Sequence, residues 1–294
     1  MKNKHHIIYN PNANRGGAKP YLEALCILLN KSDIPYTVYK TRYPHHATQI
    51  TKDIIAKGSK SIIIVGGDGT IHEVINGYRD GDNVTFGIIP AGTGNDVATM
   101  LKIPHKLEDI ALAAKNILNQ NTKKIDFISH SNGMRSILFF SYGIAAAMIL
   151  DMQKYKNKNK LSYYKALFKN VFSFKPGIYE VDIEGKKTTY KADFCSVHNC
   201  IHAGGGMELI KNAIIDDGQL ELFIAENKGH IRRVLNFIAI IRKRVHLQPN
   251  MHIIPVKNIT IRAIKNNLCC IDGELKNLDS LELSIKHKAI SLYA

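Results

Sequence analysis

A glycine-rich turn at the end of an apolar run constrains the fold of this chain more than any other feature. The run Ser61 to Val65 reads SIIIV, and the turn Gly66 to Thr70 that follows it reads GGDGT. Helical spacing begins directly after the turn, from about Ile71 to Tyr78. An apolar run without alternation is typical of a strand buried on both faces, as in a parallel sheet. The sequence therefore predicts a strand, a tight turn and a helix in immediate succession.

The same alternation of short strands and helices extends up to about residue 124. Strand-like runs occur at 7–9, 36–40, 61–65 and 86–89, and helical patterns occur at 18–30, 47–57, 71–78 and 96–101. Alternation of this kind argues for a parallel sheet with helices on both faces. We therefore expect residues 1–124 to form an α/β domain.

The pattern changes from about residue 125 onward. Strand-like runs separated by turn residues lie at 136–141, 178–183, 193–197, 219–225, 259–263 and 281–285. Helical stretches near 160–172 and 229–242 interrupt this series. Successive short strands joined by turns favour antiparallel pairing. Residues 125–294 are thus predicted to form a second, mainly antiparallel β-sandwich domain.

The strongly basic composition narrows the choice of partners. The formal net charge is +15, which favours nucleic acid, phosphorylated ligands or an acidic membrane leaflet. Two basic clusters, Lys154 to Lys160 and Arg242 to Arg244, concentrate this charge. Neither cluster has the repeated interleaved aromatic pattern of a single-strand nucleic-acid platform, so we expect no nucleic-acid partner.

The cysteines and the apolar runs indicate a cytoplasmic location. The five cysteines are an odd number without CxxC spacing, which is typical of reduced thiols. The longest uncharged run, Ser136 to Leu150, is shorter than the roughly 20 apolar residues that span a bilayer. We therefore expect a cytoplasmic protein that meets the inner face of the membrane only at its periphery.

The glycine turn has the composition of a phosphate site. Glycines allow positive φ and the close approach of backbone amides to an anion, and a helix N-terminus adds partial positive charge. Asp68 would be unfavourable beside a bare anion but is suitable if the anion arrives with Mg²⁺. A tight strand–helix turn capped by Thr70 is the alternative interpretation.

Two further loops follow predicted strands, and both are suited to a nucleotide. One is Pro90 to Asp96, which reads PAGTGND, and the other is Asn10 to Gly17. Loops at the carboxyl ends of parallel strands open into one crevice, where such folds bind ligands. Asn95 or Asp96 as a simple helix cap is the alternative. A dinucleotide fingerprint is excluded because His72 and Val97 occupy the third glycine position, and no P-loop motif is present.

Several motifs fall in order along nearly the whole chain. They are Asn10-Pro11 with Gly16, Thr41 with His46-Ala47, GGDGTIHEVINGY at 66–78, GIIPAGTGNDVA at 87–98, Ile125-Asp126, GGGM at 204–207, DDG at 216–218 and IDGE at 271–274. Together they resemble the diacylglycerol-kinase catalytic-domain family, in particular the soluble bacterial lipid kinases of the DgkB and YegS type. GGDGT alone also occurs in NAD kinases and phosphofructokinase-like enzymes, and the resemblance implies their fold for the first domain.

The resemblance implies an ATP-dependent lipid kinase of phospholipid biosynthesis. The γ-phosphoryl group of ATP would pass to a lipid hydroxyl, with diacylglycerol the expected acceptor and phosphatidic acid the product. Carried over position by position, the ATP contacts would be Asn10, Asn12, Asn14, Thr41, Gly66, Gly67, Asp68, Gly69, Thr70, His72, Thr93 and Asn95.

The resemblance also implies two Mg²⁺ sites and a general base. Asp68 and Asp126 would help to place the catalytic Mg²⁺, and Glu274 would accept the proton of the lipid hydroxyl, which makes Asp68 and Glu274 the expected catalytic residues. A structural Mg²⁺ would bind to Asp217 and to the backbone carbonyls of Ile214 and Gln219. Without the resemblance, Asp272-Gly273 is simply a hairpin turn and Glu274 a solvated charge.

A lipid kinase must reach a membrane that it does not span. Transient contact with an anionic membrane surface is expected from Lys154 to Lys160 and from Arg232-Arg233 and Arg242 to Arg244, which flank the apolar stretch Val234 to Ile241. A core-packed helix is the alternative for that stretch. Whether the chain forms a homodimer stays open. Two other functions also stay open: a kinase of the same superfamily that acts on NAD or another soluble alcohol, and a non-catalytic nucleotide- or lipid-binding regulator.

Overall fold

The computed structural model describes residues 4–154, 160–203 and 207–294. The chain divides into two compact units. The first unit contains the chain up to Phe127 together with His287–Ala294, and the second unit is Ile128–Lys286. The last eight residues of the chain therefore return to the first unit.

The first unit is a parallel sheet with helices. Its strands are β1 (His5–Tyr9), β2 (Tyr36–Lys40), β3 (Ser61–Gly66) and β4 (Thr85–Pro90), and its helices are α1 (Lys19–Lys31), α2 (His46–Ala56), α3 (Asp68–Ile75), α4 (Asp96–Met100) and α5 (Ile110–Asn119). The strand order is β4-β3-β1-β2, and every pairing is parallel. Ser291 and Leu292, near the end of the chain, add a further parallel pairing on the free side of β4.

Burial explains why these segments form strands and helices. All of β3 is buried, as expected for a central parallel strand that is covered on both faces. Helix α5 buries Ile110, Ala113, Ala114 and Ile117, which are spaced as one face of a helix. The predicted α/β fold is confirmed. Helix α5 was not among the predicted helices.

The second unit is mainly antiparallel and includes three helices. Its helices are α6 (Ile144–Gln153), α7 (Lys160–Ser173) and α8 (His230–Ile241). Its strands are β6 (Arg135–Ser136), β7 (Phe139–Gly143), β8 (Gly177–Ile183), β9 (Lys186–His198), β10 (His202–Ala203), β11 (Met207–Glu208), β12 (Leu220–Glu226), β13 (Met251–Val256), β14 (Asn258–Lys265), β15 (Leu268–Ile271) and β16 (Glu274–Asn277). Strands β5 (Thr122–His130) and β17 (Ser280–Tyr293) each run from one unit into the other.

The long strand β9 organises the second unit. Its first half, Lys186 to Ala192, pairs with β8, and its second half pairs with β7 on one side and β12 on the other. The remaining order is β16-β15-β7 on one side and β8-β14-β17 on the other. These strands enclose one apolar core, in which the rings of Tyr142 and Tyr179 stack with centroids 5.2 Å apart. The predicted β-sandwich fold of this part is confirmed.

A polar network around the buried Asp151 joins helices α6 and α7 of the second unit. Asp151 of α6 binds Lys169 at 2.9 Å and the Asn170 amide at 2.9 Å, both on α7. Burial alone would raise the pKa of Asp151, but the hydrogen bonds from Lys169, Lys154 and Asn170 outweigh it and lower that pKa to about 2. The predicted helices near 160–172 and 229–242 correspond to α7 and α8. Helix α6 was not predicted.

The stretch Val234 to Ile241 of α8 packs only partly in the core. Phe237 is buried, whereas Ile238 and Ile241 are exposed. Most of the predicted basic cluster Lys154 to Lys160, from 155 to 159, lies outside the described residues.

Two expectations about the whole chain can be compared with the structure. Four of the five cysteines are buried and none forms a disulfide, as the reduced state requires. Among the helices in the described ranges, none combines the length and the apolar character that crossing a bilayer demands.

Candidate functional site

The predicted nucleotide residues follow four neighbouring parallel strands of the first unit. Asn10 follows β1, Thr41 follows β2, Gly67 follows β3 and Ala91 follows β4. Because all four strands run in the same direction, their carboxyl ends lie on one edge of the sheet. The fold therefore gathers the three predicted loops and Thr41 along that edge.

The two glycine turns touch each other at this edge. The amide of Ala91 donates to the carbonyl of Gly66 at 2.8 Å, and a β-carbon at Gly67 would lie 2.9 Å from the Cα of Gly92. A β-carbon at Gly92 would in turn overlap the Cα of Gly67. Gly67 has φ −102, a value open to any residue. These glycines are required because the two backbones pack against each other, and not because of positive φ.

Asp68 joins the two turns through its carboxylate. Its Oδ2 accepts the amide of Asp96 at 3.1 Å, and its Oδ1 accepts the amide of Val97 at 3.1 Å. Asp68 thus caps the N-terminus of α4 from outside the helix. Asn95 occupies the N-cap position, as the alternative interpretation expects, but its side chain makes no capping hydrogen bond there. A carboxylate has about four acceptor positions, and these two bonds occupy two of them.

Asn95 stabilises the second turn from within. The backbone of Asn95 has the left-handed conformation, with φ 58°, which asparagine tolerates better than most residues. Its side-chain oxygen accepts the amide of Gly92 at 2.9 Å, and its side-chain nitrogen donates to the carbonyl of Gly92 at 3.0 Å. Thr93 and Gly94 between them are exposed. The turn is therefore rigid at its base and accessible at its tip.

Thr70 connects the first glycine turn to the loop after β1. The side-chain nitrogen of Asn10 donates to the Thr70 hydroxyl at 2.9 Å, and the side-chain oxygen of Asn10 accepts the amide of Asn12 at 3.0 Å. Helix α3 begins at Asp68 with Gly67 as its N-cap, so Thr70 lies inside the first turn. The interpretation of Thr70 as a helix cap is wrong. Asn12 and Asn14 are exposed on this loop.

Two other residues that were predicted to contact the nucleotide, Thr41 and His72, are buried. Thr41 is buried, and its amide donates to the carbonyl of Tyr9 at 2.9 Å. Tyr43, which follows it, is exposed and stacks on His46 with ring centroids 4.3 Å apart. His72 is buried in α3, where its Nε2 lies 3.3 Å from the Asn76 side-chain nitrogen.

Asp126 is a buried carboxylate of the first unit. It is fully buried, and its Oδ1 accepts the amide of Lys288 at 2.6 Å and lies 3.0 Å from the Nδ1 of His287. These contacts attach the returning end of the chain to β5. The contribution of Asp126 to a Mg²⁺ site stays a prediction.

Glu274 begins β16 of the second unit, directly after a two-residue turn. Asp272 has φ 46 and Gly273 has φ 99, as a tight hairpin turn requires. The Asp272 carboxylate accepts three consecutive amides, those of residues 137, 138 and 139, at 2.7, 3.0 and 2.9 Å. The Glu274 side chain is 25% exposed, and its Oε2 lies 3.7 Å from the amine of Lys276. Glu274 is therefore partly buried on a fixed turn, not a fully solvated charge.

The predicted structural cation site lies before β12. The Oδ1 of Asp217 accepts a hydrogen bond from the backbone amide of Gln219 at 2.9 Å. Ile214, three residues before Asp217, is exposed. Burial, and then the charge of Asp217, raise the pKa of Glu221 to about 7. The Oε2 of Glu221 is buried and has no hydrogen-bond partner in the described part of the chain. This excess of negative charge is compatible with a hard cation held by carboxylate and carbonyl oxygens.

Side-chain clusters alone do not define a metal site. Within residues 4–154, 160–203 and 207–294, no group of three or more His, Cys, Asp or Glu side chains is arranged to hold a metal ion. The two predicted Mg²⁺ sites stay predictions: one has the carboxylates of Asp68 and Asp126, and the other has Asp217 with two backbone carbonyls. Carbonyls, phosphates and water are further ligands that this hard cation accepts. The glycine motif at 204–206 lies outside the described residues.

Two family models match the chain over most of its length. Residues 4–130 match the diacylglycerol kinase catalytic domain, and residues 140–294 match the YegS C-terminal NAD kinase beta sandwich-like domain. The chain belongs to the YegS-like diacylglycerol kinase family. Membership of this family makes it a lipid kinase, a phosphotransferase with an alcohol group as acceptor.

Relatives and solved structures of the family cover almost the whole chain. A diacylglycerol kinase of Bacillus subtilis (strain 168) is 29% identical over 273 residues, which are 91% of this chain and 88% of that protein. One from Staphylococcus saprophyticus is 26% identical over 283 residues, covering 93% and 90%. The crystal structure of a diacylglycerol kinase from Bacillus anthracis str. Sterne is 21% identical, with a TM-score of 0.74 over 99% of this chain and 96% of that chain. Another from the same strain is 24% identical, with a TM-score of 0.80 and the same coverage.

Two features of the family site were missed by sequence reasoning. The triple amide acceptor at Asp272 was not expected, because its partners lie 133 to 135 residues earlier in the chain. The contact between Gly67 and Gly92 was also missed. A signal for the second was present, because each glycine motif directly follows a strand of one parallel sheet.

Proposed function

We propose that the chain is a Mg-ATP-dependent diacylglycerol kinase. It transfers the γ-phosphoryl group of ATP to the free hydroxyl of diacylglycerol and forms phosphatidic acid. The observation that carries the proposal is the Asp68 carboxylate, which joins two glycine turns at the carboxyl edge of a parallel sheet. The names of the relatives support diacylglycerol as the acceptor.

The loops of the first unit bind the nucleotide in this proposal. Gly69, Thr93 and Gly94 are exposed, and a β-carbon at Gly69 would meet open space. The backbone amides of these three residues bind the phosphates in this proposal. The N-terminus of α3 adds its partial positive charge. The loop after β1, with the exposed Asn12 and Asn14, contacts the remainder of the nucleotide together with Asn10, Thr41, Gly66, Gly67, Asp68, Thr70, His72 and Asn95.

Asp68 and Asp126 are the residues proposed to hold the catalytic Mg²⁺. Both are carboxylates, which are the ligands that this hard cation prefers. When bound, Mg²⁺ neutralises the charge that develops on the transferring phosphates. The capping bonds of Asp68 keep its carboxylate in one orientation, so the cap and the metal position are coupled. The second cation, at Asp217 with the carbonyls of Ile214 and Gln219, is structural.

Glu274 of the second unit is the proposed general base. The oxygen of the lipid hydroxyl attacks the γ-phosphorus, the bond from that phosphorus to ADP breaks, and the hydroxyl proton passes to the Glu274 carboxylate. Asp272 holds the turn that carries Glu274 through its three amide contacts. A base must lie within hydrogen-bond reach of its proton, and a rigid turn favours this.

The test is a phosphorylation assay with three acceptors offered separately. Purified protein is incubated with Mg²⁺ and γ-labelled ATP together with diacylglycerol, NAD or glycerol. We expect label in phosphatidic acid, with losses of at least about 100-fold in Glu274→Gln. Label in NADP would favour the soluble-acceptor alternative. No label in any acceptor, with intact nucleotide binding, would favour the regulator and contradict the proposal.

A further inference from the structure

Two stacked rings lie on the loop between β2 and α2. Tyr43 is 60% exposed, and its ring lies on the imidazole of His46 with centroids 4.3 Å apart and an angle of 19° between the planes. We call these two residues the Tyr43–His46 pair. His46 covers one face of the tyrosine ring, and the exposure of Tyr43 leaves the other face open to solvent. An exposed aromatic ring that is held in one orientation is a surface on which a flat ligand can stack.

The backbone between the two rings forms a tight turn. The amide of His46 donates to the carbonyl of Tyr43 at 3.2 Å, and between them lie Pro44 and His45, which has φ 64° and ψ 6°. Proline at the second position and a left-handed residue at the third are the features of a type II turn. A non-glycine residue in the left-handed region costs free energy, and such residues cluster at functional sites. The turn places the first and fourth side chains on the same side of the loop.

Further hydrogen bonds join the pair to the helix of the first glycine turn. The Nδ1 of His46 accepts the amide of Arg42 at 3.0 Å, which fixes the imidazole ring. The amide of Ala47 donates to the Oε2 of Glu73 at 3.0 Å, and the hydroxyl of Thr48 donates to the carbonyl of Glu73 at 2.7 Å. Glu73 belongs to α3, the helix that begins in the first glycine turn. The pair is therefore fixed relative to the proposed phosphate site.

The pair lies at the β2 end of the edge that carries the predicted nucleotide residues. The strand order is β4-β3-β1-β2; the two glycine turns follow β4 and β3, and Thr41 follows β2. Neighbouring strands are about 4.8 Å apart, so the end of β2 is about 10 Å from the end of β3. Tyr43 lies two residues beyond Thr41. A nucleotide whose phosphates bind at the glycine turns and whose base extends across β1 brings that base to the pair.

We propose that Tyr43 stacks on the adenine ring of the bound nucleotide and that His46 holds Tyr43 in position. The inference rests on the proposed function for the identity of the ligand, and it deepens that function by assigning the base contact. Adenine is the flat and mainly apolar part of ATP, and covering it with an aromatic ring removes apolar surface from water. Neither residue was among the ATP contacts predicted from the sequence.

Isothermal titration calorimetry of the full chain with two ligands tests the proposal. Mg-ADP carries the base, whereas Mg-pyrophosphate has the two phosphates alone. Tyr43→Ser should bind ADP at least about fivefold more weakly than the wild type, which is the lower end of what removing a stacking ring costs a bound base. Its affinity for pyrophosphate should stay within about twofold. Tyr43→Phe keeps the ring and should bind both ligands like the wild type.

His46 is tested as a positioning residue. His46→Ala removes the ring that supports Tyr43, so the affinity for ADP should fall about threefold while the affinity for pyrophosphate stays constant. His46→Phe returns a ring to this position and should recover most of the ADP affinity. Tyr39→Ser is the matched control, because it breaks a second tyrosine–histidine stack of the first unit, with centroids 5.6 Å apart. Its partner His6 lies near the amino end of β1, away from the nucleotide edge, so ADP binding should be unchanged.

Steady-state kinetics provide a second readout. A base contact far from the transferred phosphate is the same in the ground state and the transition state. Tyr43→Ser should therefore raise KM for ATP at least about fivefold and keep kcat within about twofold.

The outcomes separate the inference from the proposed function. Unchanged ADP affinity in Tyr43→Ser, or equal losses of ADP and pyrophosphate affinity, would overturn the stacking contact and leave the kinase function standing. Tyr43-dependent ADP binding by a wild type that phosphorylates no acceptor would sustain the stacking contact and refute the proposed function. A wild type that binds neither ligand would refute both.

Discussion

The substitution Asp272→Asn tests the turn that carries the proposed general base. The carboxylate of Asp272 accepts the amides of residues 137, 138 and 139 at 2.7, 3.0 and 2.9 Å. Asparagine keeps the size of the side chain and tolerates the left-handed conformation at φ 46. Its NH₂ group, however, faces one of the amides that the carboxylate accepted. One bond is therefore lost, and the other two lose their charge assistance.

The expected cost follows from these three contacts. A hydrogen bond to a charged group contributes about 1.5–3 kcal/mol, against about 0.5–1.5 for a neutral one. One lost and two weakened bonds sum to about 4 kcal/mol, and the half-buried position of Asp272 reduces this to about 3 kcal/mol. Urea unfolding followed by far-ultraviolet circular dichroism measures the change. Because the chain has no tryptophan, intrinsic fluorescence would report mainly tyrosine.

A second hairpin of the same unit provides the control. Asp182 accepts a single amide, that of Gly185, at 2.8 Å in the exposed turn between β8 and β9. Asp182→Asn should cost only about 0.5 kcal/mol. In the kinase assay, Asp272→Asn should lower kcat while KM for ATP stays constant, because the proposed nucleotide contacts belong to the first unit. If both variants lose the same stability, the three-contact clamp is refuted. If Asp272→Asn loses stability but keeps its kcat, the clamp does not position Glu274.

Three further predictions concern the first unit and the second cation. Gly92→Ala should lower the free energy of unfolding by about 2 kcal/mol and weaken nucleotide binding, because its β-carbon overlaps the neighbouring turn. Gly69→Ala is the control, because a β-carbon there meets open space. A thermal-shift titration with ATP compares the two variants. Burial, aided by the charge of His6, lowers the pKa of His5 from 6.5 to about 4. The folded state thus resists protonation of His5, so this contribution to the free energy of unfolding is present above pH 6.5 and is lost as the pH falls towards 4. Between those two pH values, a His5→Gln variant should lose less of its free energy of unfolding than the wild type, as measured by urea unfolding. Mg²⁺ should raise the melting temperature of the wild type, and Asp217→Asn should abolish most of that rise, measured against samples with chelator.

Local patterns in the sequence were sufficient for much of the first unit. The SIIIV run of β3 is buried throughout, and a strand covered on both faces leaves an uninterrupted apolar signal. Helix α5 was nevertheless missed, although Ile110, Ala113 and Ile117 have helical spacing. In the second unit, Glu274 was placed correctly after a hairpin turn because Asp272-Gly273 is a strong local turn signal.

Contacts between distant segments were not predictable in the same way. The amides that bind Asp272 are more than 130 residues away in sequence, and nothing in their local pattern signals an acceptor. Likewise, Gly67 and Gly92 were recognised as flexible residues, while their mutual contact became visible only with the register of β3 and β4. Helices α7 and α8 are in contact although five strands, β8 to β12, separate them in the sequence. Their exposed apolar residues could not be distinguished from core residues before the packing was known.

Asp68 has two roles in the proposed mechanism, to cap α4 and to bind Mg²⁺, and a loss of activity alone does not distinguish between them. Its carboxylate caps α4 through two amides, so Asp68→Ala would loosen the second glycine turn even if no metal bound there. Asp68→Asn keeps an acceptor for one of these amides but is a poor ligand for Mg²⁺. If Asp68 holds the metal, Asp68→Asn should bind ADP without Mg²⁺ about as well as the wild type, and only the gain in affinity on adding Mg²⁺ should disappear. An equal loss of ADP affinity with and without Mg²⁺ would assign Asp68 to the cap alone.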